Sequence, residues 1–165
     1  MKDYEIPKGL RKELERNGGP MDVVWQCYHD SVRLDFSGGA SQAGMLFRNP
    51  IGVEEKTPAD TNLVEPMPVM PHQAYVAKWF SHSLLHVPAD LLSVVRRKAV
   101  FTLQIGEKLY EGGTLDMLPL ELPLERMIWP LVHIGVRYEF YNPPIIEIPV
   151  FFRFIIGGIL FRPPS

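Results

Sequence analysis

Residues 132–140 constrain the fold more than any other part of the chain, because their side chains alternate in character. Apolar residues occupy the even positions from Val132 to Phe140, and polar residues or glycine occupy the odd ones. A period of two is typical of a β-strand that buries one face. Residues 151–162 are almost wholly apolar and follow a loop stiffened by proline. We therefore predict that the two segments form a pair of antiparallel strands.

Two glycines, Gly157 and Gly158, interrupt the second of these strands. Glycine inside a strand often marks a β-bulge, where one extra residue changes the face that later side chains occupy. We predict such a bulge here. It would return Ile159 and Phe161 to the face on which Phe152 and the next even-numbered residues lie.

Strand signals recur in residues 22–36, 45–47 and 99–111. The first of these segments has a break at Asp30-Ser31, and the last turns at Gly106-Glu107-Lys108, as a β-hairpin does. The apolar residues of 74–98 fit the period of a strand and that of a helix equally well. A short helix is predicted within 88–98, because proline stands at its start and basic residues stand at its end.

The sum is about seven or eight short strands with at most two short helices, and strands do not alternate with long helices. These features predict an all-β fold, an antiparallel β-sandwich that is jelly-roll-like, with an N-terminal arm and short helices. At 165 residues, one domain is expected. We place it at residues 21–165.

Residues 1–20 are predicted to form an N-terminal arm or short helix. Leu10 and Leu14 stand four residues apart among charged residues, a stripe too narrow to hold a helix alone. Asn17-Gly18-Gly19-Pro20 then provides a stop. The arm either frays or docks on a neighbouring subunit, and the sequence leaves both alternatives open.

Residues 48–73 form a long polar stretch that contains five prolines. Loops longer than about 12–15 residues are uncommon unless they are functional or disordered. The close spacing of prolines favours an extended conformation. Met67, Val69 and Met70 lie in the most proline-rich part, so we predict that this segment runs along the surface of a neighbour.

Charge and composition argue against several classes of function. The net charge is −2, so we expect no nucleic-acid partner. No stretch reaches the ~20 apolar residues of a membrane helix, and the first residues lack the apolar core of a signal peptide. Cys27 is the only cysteine. This excludes an internal disulfide and predicts synthesis in a reducing cytoplasm, with Cys27 as a small buried side chain rather than a reactive thiol.

Histidines are the only residues whose spacing suggests chemistry. His82 and His86 are four apart, as in a zinc-binding helix, and His72 is a conceivable third ligand. Ser83, however, stands where a zinc protease needs glutamate, and the chain has neither the His-x-His of cupins nor a nucleophile elbow. We predict no enzyme activity and no cofactor. A metal site at the three histidines remains an alternative.

Apolar residues are in surplus outside clean strand alternation. A lone sandwich of this size would leave several of them exposed, and large exposed apolar patches usually mark interfaces. We therefore predict a homo-oligomer. The interface candidates are Leu10, Leu14, Met67, Val69, Met70, Leu118, Leu120, Ile145, Ile146, Ile148, Phe151 and Ile155.

Three segments carry a resemblance to a known group of proteins: residues 101–110, 115–119 and 158–163. Together they resemble the small virion structural proteins of bacteriophages. In these proteins, single β-sandwich or jelly-roll units with extended arms tile a capsid or sit at its vertices. The resemblance implies a symmetric oligomer without catalytic residues or cofactor, made in the host cytoplasm, located in the virion and in contact with other virion structural proteins. Residues 48–73 depart from the family.

The first hypothesis for function is thus a structural virion protein, either a capsid subunit or a capsid-associated one. The second is a barrel-type small-molecule or metal-binding module or enzyme, which would be cytoplasmic. The third is a receptor- or carbohydrate-binding attachment module, in which Trp25, Trp79 and Trp129 would be exposed platforms unless they belong to the core.

Overall fold

Eight antiparallel strands make up most of the described protein. The computed structural model describes residues 22–64, 73–117, 121–130 and 132–162, together with Lys12 and Val69. The strands are β1 (Asp22–Leu34), β2 (Gln42–Leu46), β3 (Ala74–Leu85), β4 (Ala99–Ile105), β5 (Lys108–Thr114), β6 (Glu121–Ile128), β7 (Ile134–Phe140) and β8 (Val150–Arg162). The described residues also include the α-helix α1 (Leu92–Arg97) and a 3-10 turn at Val53–Glu55.

The strands form two four-stranded sheets. The first sheet has the order β1-β8-β3-β6 and the second has the order β2-β7-β4-β5. Most neighbours in space are thus distant in sequence, as in the two Greek keys of an eight-stranded jelly roll. The prediction of an all-β, jelly-roll-like sandwich is confirmed.

The core lies between the two sheets and is rich in aromatic rings. Phe154 of β8 is the centre of this cluster. It stacks on Phe80 with ring centroids 5.2 Å apart and meets the ring of Phe101 edge-on at 5.6 Å. Phe140 and Phe152 form a second edge-on pair at 5.5 Å. The even positions of β7 face this core, so the alternation of residues 134–140 is explained by one buried face.

The predicted bulge at Gly157-Gly158 is wrong. β8 pairs with β1 without interruption from Asp22 opposite Arg162 to Leu34 opposite Val150. The irregularity lies in β3, between Ala77 and Trp79. As a result, the odd-numbered residues of β8 stay on the outer face of the first sheet.

Ile159 and Phe161 therefore do not rejoin the main core. They pack with Ala74 and Val76 in a separate buried cluster on the outer face. A steric constraint, and not a bulge, explains why glycine occupies positions 157 and 158. A Cβ on Gly157 would overlap the Trp79 indole, and one on Gly158 would overlap the carbonyl oxygen of Val76.

Other local predictions hold where the structure can test them. The hairpin of residues 99–111 is β4 and β5 with its turn at Gly106, whose φ of 61° suits glycine. The short helix predicted within 88–98 is α1. Most of the predicted arm, residues 1–20, lies outside the described residues.

We expect Gly157→Ala to destabilise the fold by about 1–3 kcal/mol, because the added methyl overlaps the Trp79 ring and forces a shift in a packed sheet. Urea unfolding measures the change. Gly38→Ala is the matched control, since a Cβ at Gly38 meets nothing within 4 Å. Equal midpoints for the two variants would contradict the steric role of Gly157.

Candidate interaction surface

The outer face of the first sheet is unusually apolar for a surface turned away from the core. Trp25 is 71% exposed and Val23 is 41% exposed. Cys27 and Pro123 are also exposed, whereas Trp79 is half-buried. We call the following residues the apolar outer face: Val23, Trp25, Cys27, Trp79, Pro123, Met127 and Ile155.

Strand register brings these residues together. Cys27 lies opposite Gly157, which lies opposite Trp79, which in turn lies opposite Pro123. A second cross-strand row, parallel to the first, joins the exposed Trp25 to Met127 through Ile159 and Val76, which are both buried. The apolar outer face thus spans all four strands of the sheet.

This face results from a double apolar pattern in β1. The inward positions of a sandwich strand are expected to be apolar, and the outward positions are expected to be polar. In β1 the outward positions 23, 25 and 27 are valine, tryptophan and cysteine. The prediction of a buried Cys27 is wrong, because its side chain is on the outward face and exposed.

Beyond the apolar outer face, the same side of the sheet carries an aromatic ring in contact with an arginine and a histidine. The Arg33 guanidinium lies over the Phe151 ring at 5.2 Å from its centroid, and the His86 ring meets Phe151 at 5.3 Å. Phe151 and Ile155, both predicted interface residues, lie on this outer side and are half-buried. Contact with a partner at these two positions stays a prediction.

A buried ion pair fixes the edge of the first sheet. The Lys56 ammonium lies 3.0 Å from Oδ1 of Asp30, and the Asp30 side chain is 2% exposed. The other carboxylate oxygen of Asp30 accepts the backbone N–H of Phe47 at 2.6 Å. Lys56 also donates to the carbonyl oxygen of Ser31. The predicted strand break at Asp30-Ser31 is wrong, since these contacts satisfy both polar residues inside a continuous β1.

Residues 60–62 continue this attachment along the strand. Thr61 forms a β-bridge with Asp30. The Asn62 side chain accepts the N–H of His29 at 2.9 Å and donates to the carbonyl oxygen of Cys27 at 2.6 Å. We call Lys56, Asp60, Thr61 and Asn62 the edge clamp. It covers the second half of the open side of β1, so the prediction that segment 48–73 runs along a neighbour is wrong for residues 56–62, which bind β1 of their own chain.

The clamp is itself held by a tight turn. Oδ2 of Asp60 accepts the backbone N–H of Thr57 at 2.9 Å and the Thr57 hydroxyl at 2.8 Å. These bonds, the backbone N–H first, hold the pKa of Asp60 below its usual range. The Asp60 carbonyl oxygen accepts the Ser31 hydroxyl at 2.8 Å. Asp60 therefore links the turn to strand β1, because its side chain binds Thr57 and its backbone carbonyl binds Ser31.

The environment of His29 depends on this attachment. His29 lies on the outward side of β1, beneath the clamp. Burial lowers its pKa first, and the positive charge of Arg153 lowers it further. Asp30 and a backbone bond to Asp60 act in the opposite direction. The net effect favours a neutral imidazole.

Two predicted interface residues belong instead to the core. Val69 is 0% exposed and Ile146 is 4% exposed, and both join the main hydrophobic cluster. Ile145 and Ile148, from the same loop as Ile146, are 63% and 54% exposed. The loop therefore presents two isoleucines outward and anchors itself with the third. Six other candidates lie outside the described residues: Leu10, Leu14, Met67, Met70, Leu118 and Leu120.

Of the three candidate histidines, the structure describes His82 and His86 and places them in different surroundings. His82 points into the core, where its ring lies 5.8 Å from that of Phe101. His86 follows the end of β3, is exposed and has a φ of 67°. His72 lies outside the described residues. Among the residues that are described, no three His, Cys, Asp or Glu side chains form a group that could hold a metal ion.

The tryptophans lie on the surface rather than in the core. Trp25 and Trp129 are exposed, and Trp79 covers Gly157 on the outer face. The signal for the apolar outer face was present in the sequence, as apolar residues at successive outward positions of β1. The edge clamp had no such signal, because Asp30 and Lys56 are 26 residues apart.

Comparison of the chain with protein-family models, with curated proteins and with solved structures found no significant match. Within the described residues, no helix has the length and apolar character needed to cross a membrane.

We expect Lys56→Met to destabilise the protein by about 3–5 kcal/mol, because it leaves the Asp30 carboxylate buried without a counter-charge. Asp30→Asn in the Lys56→Met background should recover part of this loss. A double-mutant cycle from urea unfolding measures the coupling.

Arg97 and Asp116 supply the matched control pair. Their charged groups are 3.9 Å apart and the Arg97 side chain is 75% exposed. Such a surface pair contributes at most about 1 kcal/mol. Equal coupling in the two pairs, or additive effects at Asp30 and Lys56, would refute the structural role of the buried pair.

His29 should make the fold sensitive to mild acid. Its folded-state pKa lies below the unfolded value of about 6.5, so the unfolded chain binds the proton first as pH falls. This group is therefore expected to reduce the free energy of unfolding as pH decreases below about 6.5. Unfolding curves at a series of pH values should show a shallower decline for His29→Gln. The exposed His133→Gln is the control, and an unchanged slope in His29→Gln would count against the argument.

Proposed function

We propose that the protein is a structural virion protein, a capsid or capsid-associated subunit that self-assembles. The assembly contact is the apolar outer face, and the exposed isoleucines Ile145 and Ile148 supply a second contact at the loop end of the sandwich. In this proposal the chain needs no cofactor and performs no catalysis. Its work is to hold a fixed shape and to bind copies of itself and other virion proteins.

The observation that carries the proposal is the exposed apolar stretch on the outward side of β1, where Trp25 is 71% exposed and lies between the exposed Val23 and Cys27. Monomeric soluble proteins rarely present large contiguous apolar patches, and interface cores are enriched in tryptophan and methionine. A patch on a sheet is also rigid, so a partner orders few side chains on binding. These properties favour a permanent protein contact.

The strand order gives secondary support. Eight-stranded jelly rolls build viral capsids, but they also occur in lectins and cupins. Fold alone therefore does not decide between them. The positions of His82 and His86, one in the core and one at a strand end, favour the capsid alternative over a cupin-like metal site.

Sedimentation velocity over a range of concentrations, with electron microscopy of the concentrated sample, tests self-assembly. We expect oligomers for the native chain and a loss of at least tenfold in association for Trp25→Thr. Leu109→Thr is the matched control, because Leu109 is 63% exposed on the other sheet. A strict monomer at high concentration would overturn the proposal.

Cys27 provides an independent readout of the same surface. As the only cysteine of the chain, it labels the apolar outer face without engineering. Its thiol should react quickly with a maleimide in dilute subunits and slowly in assembled ones. Equal reaction rates in both states would place the contact elsewhere on the molecule.

One observation favours a second candidate, an attachment module that binds carbohydrate. Exposed tryptophans such as Trp25 and Trp129 present the flat apolar surface on which sugar rings stack. Glycan-array binding that Trp25→Thr abolishes, in a protein that shows no self-association, would support this candidate and not the first.

A further inference from the structure

The open side of β1 is only half covered. β1 is an edge strand of the first sheet, with β8 on its other side. The edge clamp bonds backbone groups of Cys27, His29 and Ser31. All three positions are odd-numbered, so the odd residues of β1 turn their backbone N–H and C=O groups away from β8.

This alternation extends to the start of the strand. In an antiparallel pair, successive residues point their backbone groups alternately toward and away from the partner. The β1–β8 register contains no shift between Asp22 and Leu34. Val23 and Trp25 therefore also present their N–H and C=O groups at the edge. No described residue forms a backbone bond with them there.

The sequence of this half-edge lacks the usual protection. Natural edge strands avoid intermolecular pairing by shortness, charge or proline. Among the other edge strands, β2 has only five residues, β5 contains Lys108, and β6 contains Pro123 and Arg126. Residues 23–27 of β1 carry neither charge nor proline.

We propose that a second copy of the chain pairs here, its own residues 23–25 running antiparallel to residues 23–25 of the first copy about a two-fold axis, so that Val23 of each copy lies opposite Trp25 of the other. An antiparallel edge is complementary to itself, so one patch serves both subunits in a closed dimer. Two four-stranded sheets then join into one continuous sheet, and the two Trp25 side chains lie on its common outer face. The edge clamp already bonds the carbonyl oxygen of Cys27, so the pairing stops before this residue and its register is limited.

This inference rests on the proposed function and specifies its first assembly step. The dimer adds backbone hydrogen bonds to the apolar contact, which directs the partner to one orientation. A purely apolar patch would tolerate several orientations. The expected unit of assembly is therefore a two-fold dimer.

The test removes one backbone N–H group that points toward the proposed partner. Val23→Pro removes the edge-facing N–H of residue 23 but none of the bonds to β8, and an edge position tolerates proline. Val23→Thr is the matched control, because it retains both the N–H and the branched shape. We expect the dimer dissociation constant, from sedimentation, to rise at least tenfold in Val23→Pro and to change less than threefold in Val23→Thr.

Amide hydrogen exchange provides a second measurement that needs no variant. The amides of Val23 and Trp25 should be protected in concentrated protein and exchange quickly on dilution, while that of Val24 stays protected in both. If Val23→Pro loses its circular-dichroism signature of a folded sheet, the exchange result decides.

The outcomes separate the two claims. Self-association with equal constants for both variants, or with unprotected Trp25 amides, would overturn the edge pairing and leave the proposed function intact. A strict monomer at every concentration would overturn both. Concentration-dependent protection of the odd-numbered amides, with weaker dimers in Val23→Pro only, supports the pairing.

Discussion

The rest of the structure depends on the burial of one carboxylate, that of Asp30. Inside the sandwich it binds Lys56 and the backbone of Phe47, a residue with the uncommon positive φ of 64°. One side chain thus joins the edge strand, the end of β2 and the long segment that follows it. Without a cation at this point, the cost of burying the charge would favour separating the segment from the strand.

The two faces of β1 therefore have different surroundings. The inward side contributes Tyr28, Val32 and Leu34 to an ordinary core, and the outward side carries the apolar outer face. The edge clamp bonds the backbone edge of β1 at Cys27, His29 and Ser31, whereas no described residue forms a backbone bond with that edge at Val23 or Trp25. In the proposed assembly, the open half of the β1 edge and the apolar outer face adjoin each other, so these two contacts would use neighbouring parts of the surface.

A structural feature could be predicted from the sequence where its cause lies in neighbouring residues, and could not where the cause lies in residues that are distant along the chain. The alternation of residues 134–140 reports one buried face, so strand β7 and the sandwich class were predictable. β8 is apolar on both faces, so its pattern could not show which residues face outward. Position 157 needs glycine because the Trp79 ring, on another strand, occupies the space of a side chain there. Asp30 and Ser31 suggested a strand break because their partners, Lys56 and Asp60, are distant in sequence. The apolar outer face had a local signal, whereas Ile145 and Ile146 could be told apart only by the path of their loop.

The contact between Trp79 and Gly157 has a consequence for how such a chain can change over time. The indole occupies the space that any side chain at position 157 would need, so the two positions act as one steric unit. Neither can be exchanged alone without loss of packing. In homologous chains we expect the pair to vary together, with a small residue at 79 wherever a side chain appears at 157. Covariation of these two positions would thus mark the same sheet in chains whose overall similarity has otherwise been lost.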